Sequence, residues 1–281
     1  MKNKIIIMVL LILIICGSIL YFVRESLLDE FIRLETFFNV NNESNTQIEL
    51  DDLEVKSNIP IFMYHWIKED TGGYEYPENM VKPTELKKQM EYLKENNYDV
   101  IWVTDIDSLQ HYEKPVVLTF DDGWADVYNI AFPIAKELNM KYCMYIITDL
   151  VGTPGYCTWE MLEEMRDSGL VQLDSHTLSH PYLDQISSDQ VNDELIKSKE
   201  VLKEKLGIDS KVICYPSGQQ NDYVIKVAKE NYDYGLLMLG GIFNYDSETS
   251  NMHKITRIYA KRSMSLTEFI GYCEQAKVIL K

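Results

Sequence analysis

The stretch that decides the fold is Val116-Val117-Leu118-Thr119-Phe120-Asp121-Asp122-Gly123, in which an apolar run ends at two adjacent carboxylates. A continuous apolar run of this length, closed by turn residues, is typical of a strand buried on both faces of a sheet. Adjacent aspartates at the end of a strand point in different directions. One carboxylate can therefore bind a metal ion while its neighbour faces a water molecule or a substrate.

On both sides of this stretch, short apolar runs alternate with amphipathic helical stretches. The strand candidates are Ile59–Tyr64, Val100–Val103, Val116–Phe120, Tyr142–Ile147, Leu170–Leu173, Val212–Tyr215, Tyr234–Met238 and Ile255–Tyr259. The helix candidates are Thr84–Asn96, Ala125–Leu138, Trp159–Ser168, Ser188–Leu206, Asp222–Asn231 and Ser265–Ala276. This alternation predicts an α/β fold with parallel strands and crossover helices. Seven or eight repeats favour a distorted (β/α)7–8 barrel over an open sheet.

A second motif, His176-Thr177-Leu178-Ser179-His180, follows another apolar run. Two histidines four residues apart lie on the same side of a helical turn or tight loop, so both rings can reach one ion. Taken singly, Asp-Asp-Gly is most often an ordinary turn, and the histidine spacing most often arises by chance. Functional side chains of a parallel barrel gather at the carboxyl ends of its strands, where both motifs are expected. Together they predict a metal site.

The N-terminal residues predict a membrane anchor. Residues 5–23 carry no charge and are long enough to cross about 30 Å of hydrocarbon as a helix. Lys2 and Lys4 precede this run, so the positive-inside rule places residues 1–4 in the cytoplasm and the rest outside. Residues 24–58 are expected to form a juxtamembrane helix and a stalk, and residues 59–281 the catalytic domain. A cleaved signal peptide, or a lipid attached at Cys16, is the alternative.

The formal net charge of the chain is −17. Such an acidic surface argues against nucleic acid and anionic lipid as partners. It suits a neutral polymer, or one that becomes cationic as it is processed. An acidic surface that serves only solubility is an equal alternative.

The two motifs resemble those of the polysaccharide deacetylase (NodB-homology) family, carbohydrate esterase family 4, and the resemblance extends from Ile59 to Cys273. In the first motif of that family the first aspartate is the general base and the second a metal ligand, which implies these roles for Asp121 and Asp122. The second motif supplies two histidine ligands, which implies His176 and His180.

Two further stretches resemble the family. Tyr215-Pro216-Ser217-Gly218 is similar to the third motif, which forms one wall of the substrate groove. Ile61-Phe62-Met63-Tyr64-His65 is typical of the branch that acts on poly-N-acetylglucosamine and related extracellular glycans. Trp124, beside the first motif, is a candidate for stacking on a sugar face, although aromatic residues so placed also pack in barrels.

The chain departs from the family at two catalytic positions. The late Leu-x-His motif, whose histidine is the general acid in many members, is not found, and His65 is the substitute that we expect. The alternative is that His65 only orients a ligand or the substrate. Cys214 occupies the place of an arginine that many members carry near the base, and Arg257 is expected to supply this cation. A surface salt bridge is the alternative for Arg257.

The resemblance implies a metal-dependent hydrolase that removes N-acetyl groups from N-acetylglucosamine units of an extracellular or cell-wall polysaccharide. Mixed imidazole and carboxylate ligation favours zinc, and cobalt, nickel or iron would also fit. An esterase that acts on an O-acetylated glycan such as xylan is one alternative. A glycan-binding relative that has lost its activity is the other.

Overall fold

The structure is a computed structural model that describes residues 54–280. The predicted anchor, residues 5–23, and most of the predicted stalk lie outside the described residues. Between residues 54 and 280, none of the helices combines the length and apolar character needed to span a bilayer.

The described residues contain thirteen strands and seven α-helices. The strands are β1 (Val55–Ile59), β2 (Ile61–Tyr64), β3 (Trp66–Ile67), β4 (Met80–Val81), β5 (Asp99–Val100), β6 (Pro115–Phe120), β7 (Tyr142–Ile146), β8 (Val171–Ser175), β9 (Val212–Cys214), β10 (Tyr234–Leu236), β11 (Phe243–Asp246), β12 (Ile258–Tyr259) and β13 (Lys277–Leu280). The helices are α1 (Pro83–Glu95), α2 (Phe132–Leu138), α3 (Trp159–Asp167), α4 (Ser188–Asn192), α5 (Ser198–Leu206), α6 (Asp222–Asn231) and α7 (Leu266–Cys273). Turns of π-helix, Val127–Ala131 and Asp193–Lys197, precede α2 and join α4 to α5.

The main sheet is parallel and has the strand order β10-β9-β8-β7-β6-β2-β12, with β5 also paired to β6. It curls so far that Ile255, just before β12, forms a parallel bridge with Leu236 of β10. The prediction of parallel strands with crossover helices is therefore confirmed. The predicted strand Val100–Val103 is wrong in its second half, because a 3₁₀-helix begins at Val103.

The structure corrects the predicted boundary between stalk and domain. Residues 55–58, assigned to the stalk, belong to β1, which pairs with β11 and β13 in a separate antiparallel sheet. Alternate residues of β1 are buried, namely Val55, Ser57 and Ile59. Polar residues lie between them, so the strand contains no continuous apolar run that would predict it. Pro60 separates this strand from β2, so the predicted strand Ile59–Tyr64 begins two residues too early.

The helix ends follow local sequence signals. Thr158, Asn221 and Ser265 each accept a backbone N–H in the first turn of the helix that follows, as N-cap side chains do. Gly207 ends α5 in the left-handed conformation, which costs glycine least.

Side-chain alternation along β6 sorts its residues between two cores. Val116, Leu118 and Phe120 pack with the helices, whereas Val117 packs with residues inside the curled sheet. Because successive side chains of a strand point to opposite faces, Asp121 continues the inward series. The same alternation along β8 sends Leu173 outward and places His176 inside. The alternation of side chains along the two strands thus directs both Asp121 and His176 to the inside of the curled sheet.

A buried carboxyl group at the start of the first π-turn gives a pH-dependent prediction. Burial raises the pKa of Asp126 to about 7, from an unfolded value of about 3.9. Between these two pH values the folded chain binds more protons than the unfolded chain, so the stability from this group is lost as pH rises. Between pH 4 and pH 8 we expect ionisation of this group to lower the free energy of unfolding of the wild type by about 2–4 kcal/mol. Asp126→Asn should not show this decrease.

Denaturant unfolding of wild type and variant at several pH values measures this difference. Asp184→Asn, at an exposed position, is the matched control and should leave the pH profile unchanged. Parallel profiles for Asp126→Asn and wild type would contradict the assignment.

Candidate metal centre and active site

The two motifs lie at the carboxyl ends of β6 and β8, on either side of β7. Hydrogen bonds continue the sheet past the strand ends: His176 donates its backbone N–H to Ile146 O at 2.9 Å, and Ile147 donates to Asp122 O at 3.5 Å. Asp121, Asp122 and His176 therefore lie at the same edge of the sheet, on the two sides of the end of β7. The predicted convergence of the motifs follows from parallel pairing.

Three side chains form a group that could hold a metal ion: Asp122, His176 and His180. Asp122 Oδ1 lies 3.4 Å from His176 Nε2 and 3.7 Å from His180 Nε2. Asp122 and His180 have φ angles of 76° and 63°, so left-handed turns direct these side chains to a common point. Between the histidines, Thr177 also has a positive φ and accepts the backbone N–H of His180 at 3.1 Å.

Hydrogen bonds on their far sides orient the ligand candidates. The Nδ1–H of His176 donates to the carbonyl oxygen of Cys214 at 2.7 Å, which leaves Nε2 facing Asp122. Trp124 donates its indole N–H to Asp122 Oδ2 at 2.8 Å and leaves Oδ1 facing the imidazoles. Such outer hydrogen bonds fix the tautomer and ring orientation of metal-binding histidines. The donor set of one carboxylate and two imidazoles fits a divalent ion such as zinc.

The electrostatics of the group also suit a cation. Burial alone would raise the pKa of Asp122, but the hydrogen bond from His176 and the nearby imidazoles lower it below its ordinary value. Burial lowers the pKa of His180 to about 4, which keeps this ring neutral at physiological pH. Burial also disfavours charge on His176, but Cys214 and Asp122 raise its pKa, so a metal ion would displace a proton from this ring.

Asp121 is buried beside the metal-ligand group and forms a bidentate ion pair with Arg257. Arg257 Nη1 lies 2.7 Å from Oδ1, and Nη2 lies 2.8 Å from Oδ2. Burial would raise the pKa of Asp121, but the guanidinium charge lowers it below its ordinary value. A carboxylate has about four lone-pair sites. Arg257 uses two and the Cys214 thiol, 3.6 Å from Oδ2, a third, which leaves one site on Oδ1. The structure thus places Arg257 beside Asp121 and not on the surface.

A cleft of about 330 Å³ opens above these groups. Its lining includes Asp121, Asp122 and both histidines of the second motif. The other lining residues come from segments around the cleft: His65, Tyr76, Asn79, Tyr182, Tyr215, Ser217, Met238 and Arg257. Tyr76 and Tyr182 are 60% and 53% exposed, so much of each side chain faces solvent at the mouth of the cleft. An open cleft with exposed aromatic rings suits a sugar chain better than a small, fully enclosed ligand.

Some of the other predicted residues line the cleft and others do not. His65 lines the cleft, and its Nδ1 is buried without a hydrogen-bond partner among the described residues. Of the third motif, Tyr215 and Ser217 line the cleft. Pro216 is buried in the turn. A Cβ on Gly218 would lie 2.7 Å from the Met238 nitrogen, so this position needs glycine for close backbone packing.

Trp124, predicted to stack on a sugar face, contacts other aromatic rings of the protein. Its ring is stacked on Tyr156 at 4.1 Å and packs against Trp66 at 4.5 Å. Its N–H is directed at Asp122, so Trp124 also orients this candidate ligand. The sequence shows the residue but not its rotamer, so this hydrogen bond could not be predicted.

Sequence reasoning missed one residue that shapes the second motif. Glu194 Oε2 accepts the backbone N–H groups of Leu178 and Ser179, each at 2.9 Å, and Oε1 accepts the Ser179 hydroxyl at 2.6 Å. These bonds hold the loop between the two histidines. Glu194 lies in the second π-turn, and its helical surroundings gave no signal of this contact.

The hydrogen bond from Trp124 gives a prediction for metal affinity. Trp124→Phe keeps an aromatic ring between Tyr156 and Trp66 but removes the donor to Asp122. We expect the affinity for zinc to fall about 10–100-fold, as is usual when a ligand loses its outer partner. Competition with a chromophoric chelator measures the affinity. Trp102→Phe, which removes an indole hydrogen bond to Leu170 O far from the site, should bind zinc as wild type does; equal affinity in both variants would contradict the role of Trp124.

Comparison with known proteins places the chain in a family. The family model described as polysaccharide deacetylase matches residues 109–234. The solved Streptococcus pyogenes deacetylase PplD, in complex with acetate, is 30% identical with a TM-score of 0.70, and the alignment covers 77% of this chain and 98% of PplD. The chain belongs to the polysaccharide deacetylase family.

Two curated relatives span most of the same length. YxkH of Bacillus subtilis, assigned as a polysaccharide deacetylase, is 28% identical over 230 residues, covering 80% of this chain and 79% of YxkH. The poly-beta-1,6-N-acetyl-D-glucosamine N-deacetylase of Staphylococcus epidermidis is 24% identical over 254 residues, covering 83% of this chain and 86% of that enzyme.

Proposed function

We propose that this chain is a metal-dependent deacetylase that removes N-acetyl groups from N-acetylglucosamine units of an extracellular or cell-wall polysaccharide. One observation carries the proposal: a buried, ionised Asp121 lies beside the ligand group of Asp122, His176 and His180 at the floor of an open cleft. The family and the named activity of the Staphylococcus epidermidis relative support it. The external location depends on the predicted anchor at residues 5–23.

In the proposed reaction, Asp121 accepts the proton of the attacking water. Arg257 keeps this carboxylate ionised and fixes its plane, and the lone pair that remains free on Oδ1 can accept the proton. A divalent ion, when bound, supplies Lewis acidity for the acetyl oxygen and lowers the pKa of water. His65, on the wall of the same cleft, donates a proton to the leaving amine.

The cleft also supports a polymeric substrate. Tyr76 and Tyr182 expose rings at its mouth, where sugar faces can stack on them. Deacetylation turns a neutral acetamide into an ammonium group, and the acidic chain (net charge −17) attracts such a product. Zinc is the ion that we propose, on the basis of the mixed imidazole and carboxylate ligands.

Acetate release by the purified full chain tests the proposal. Zinc-loaded protein is incubated with β-1,6- and β-1,4-linked N-acetylglucosamine oligomers and, in parallel, with O-acetylated xylan. We expect release from the N-acetylated oligomers that stops when zinc is chelated and resumes when it is restored. Release from O-acetylated xylan alone would establish the esterase alternative. Oligomer binding without release from any substrate, in protein that holds zinc, would establish the binding relative.

A further inference from the structure

Among the described residues, a second group of potential metal ligands overlaps the first. Asp121, His176 and Cys214 are all buried, and their ligand atoms lie within 4.8 Å of one another. The Cys214 sulfur lies 3.6 Å from Asp121 Oδ2. We call Asp122, His176 and His180 the outer group, and Asp121, His176 and Cys214 the inner group. A thiolate, an imidazole and a carboxylate form a ligand set that zinc binds readily.

Arg257 already provides a positive charge to the inner group. Its Nη2 lies 2.8 Å from Asp121 Oδ2 and 3.1 Å from Cys214 Sγ. The side chain is 1% exposed, and its Nε–H donates to Leu237 O at 2.8 Å while Nη1 also donates to the Thr119 hydroxyl at 3.1 Å. A guanidinium held by this many bonds cannot swing away, and in proteins it does not lose its proton.

We propose that Arg257 is the resident cation of the inner group and confines the divalent ion to the outer group. A guanidinium in contact with two of the three inner ligands repels a second cation and occupies the space that the ion would need. Asp121 therefore keeps a lone pair free for a proton instead of becoming a metal ligand. This inference depends on the metal-binding part of the proposed function.

Removal of the guanidinium should open the inner group. A buried carboxylate without its partner charge is strongly unfavourable, so Asp121 would recruit another cation. A divalent ion can take this place if the Cys214 thiol releases its proton to solvent and binds as thiolate. Because both groups use His176, we expect the ion to move inward and not a second ion to be added. The position of the ion, more than the number of ions, is therefore the quantity to measure.

Cobalt reports that position, because a thiolate ligand gives cobalt(II) a charge-transfer absorption in the near ultraviolet that oxygen and nitrogen ligands do not. The full chain is loaded with cobalt as wild type, Arg257→Ala, Arg257→Lys and the double variant Arg257→Ala with Cys214→Ser. We expect the band only in Arg257→Ala. Arg257→Lys keeps a cation in place and is the matched control, and the double variant tests whether Cys214 is the source.

Each outcome decides the question. A thiolate band in wild type overturns the inference, and so does a folded, cobalt-bound Arg257→Ala without the band. If Arg257→Ala is unfolded even with zinc or cobalt present, a divalent ion has not replaced the guanidinium, and the inference also fails. Folding of Arg257→Ala that requires the metal, together with the band, supports it. Wild type that binds no cobalt or zinc would instead refute the metal site of the proposed function.

Discussion

Asp121→Asn is expected to reduce acetate release about 10²–10⁴-fold, the range that a general base usually contributes. An amide cannot accept the proton of the attacking water, although it occupies almost the same space as the carboxylate. The metal content should stay at the wild-type level, because Asp122, His176 and His180 remain. Acetate release and metal content are measured on the same zinc-loaded preparation.

The variant also leaves Arg257 without its charge partner, so the free energy of unfolding must be measured beside the activity. Breaking a buried ion pair typically costs about 3–5 kcal/mol. Asp184→Asn, an exposed aspartate that follows the second motif, is the matched control and should keep both activity and stability. Full activity of Asp121→Asn would refute the role of Asp121 as base.

His176→Ala is expected to abolish both zinc binding and acetate release. His176 is 2% exposed and belongs to the ligand group, so its loss removes a ligand and leaves a cavity beneath the site. The fall in zinc affinity should exceed the roughly 10–100-fold that loss of an outer hydrogen-bond partner causes. Metal analysis after gel filtration and a chelator competition measure the effect.

His111→Ala controls for the loss of an imidazole, because His111 is exposed and lies outside the cleft lining. This variant should bind zinc and release acetate as wild type does. A His176→Ala protein that retains one zinc ion per chain would contradict the ligand assignment. The pair of histidine variants also separates loss of the metal from the loss of the base that we expect in Asp121→Asn.

The convergence of Asp122, His176 and His180 could be predicted from the sequence because its geometry is local. In each motif, a strand end and one turn fix the spacing of the candidate site residues. Parallel pairing across β7 then brings the two motifs together. Predicting that Asp122, His176 and His180 converge requires no other long-range contact. The parallel order of the strands followed from their alternation with helices for the same reason.

Contacts between residues far apart in sequence were harder to predict. The prediction for Arg257 depends only on the missing cation near Asp121, and the sequence does not distinguish this role from a surface salt bridge. The structure places Arg257 in the interior. The sheet formed by β1, β11 and β13 was missed, since its strands are short and partly polar and β1 pairs with β13 across more than two hundred residues. Tyr76 lies in an exposed loop whose position no sequence period indicates.

The left-handed backbone at Asp122, Thr177 and His180 has a consequence for the order of assembly. Conformations of this kind cost non-glycine residues roughly 1–3 kcal/mol each and persist only where the surroundings enforce them. Hydrogen bonds from Trp124, to Glu194 and to the Thr177 hydroxyl hold these turns in place. We expect these bonds to hold the native conformation without zinc as well. Dialysis against a chelator should then abolish acetate release without unfolding the chain, unlike in a zinc finger.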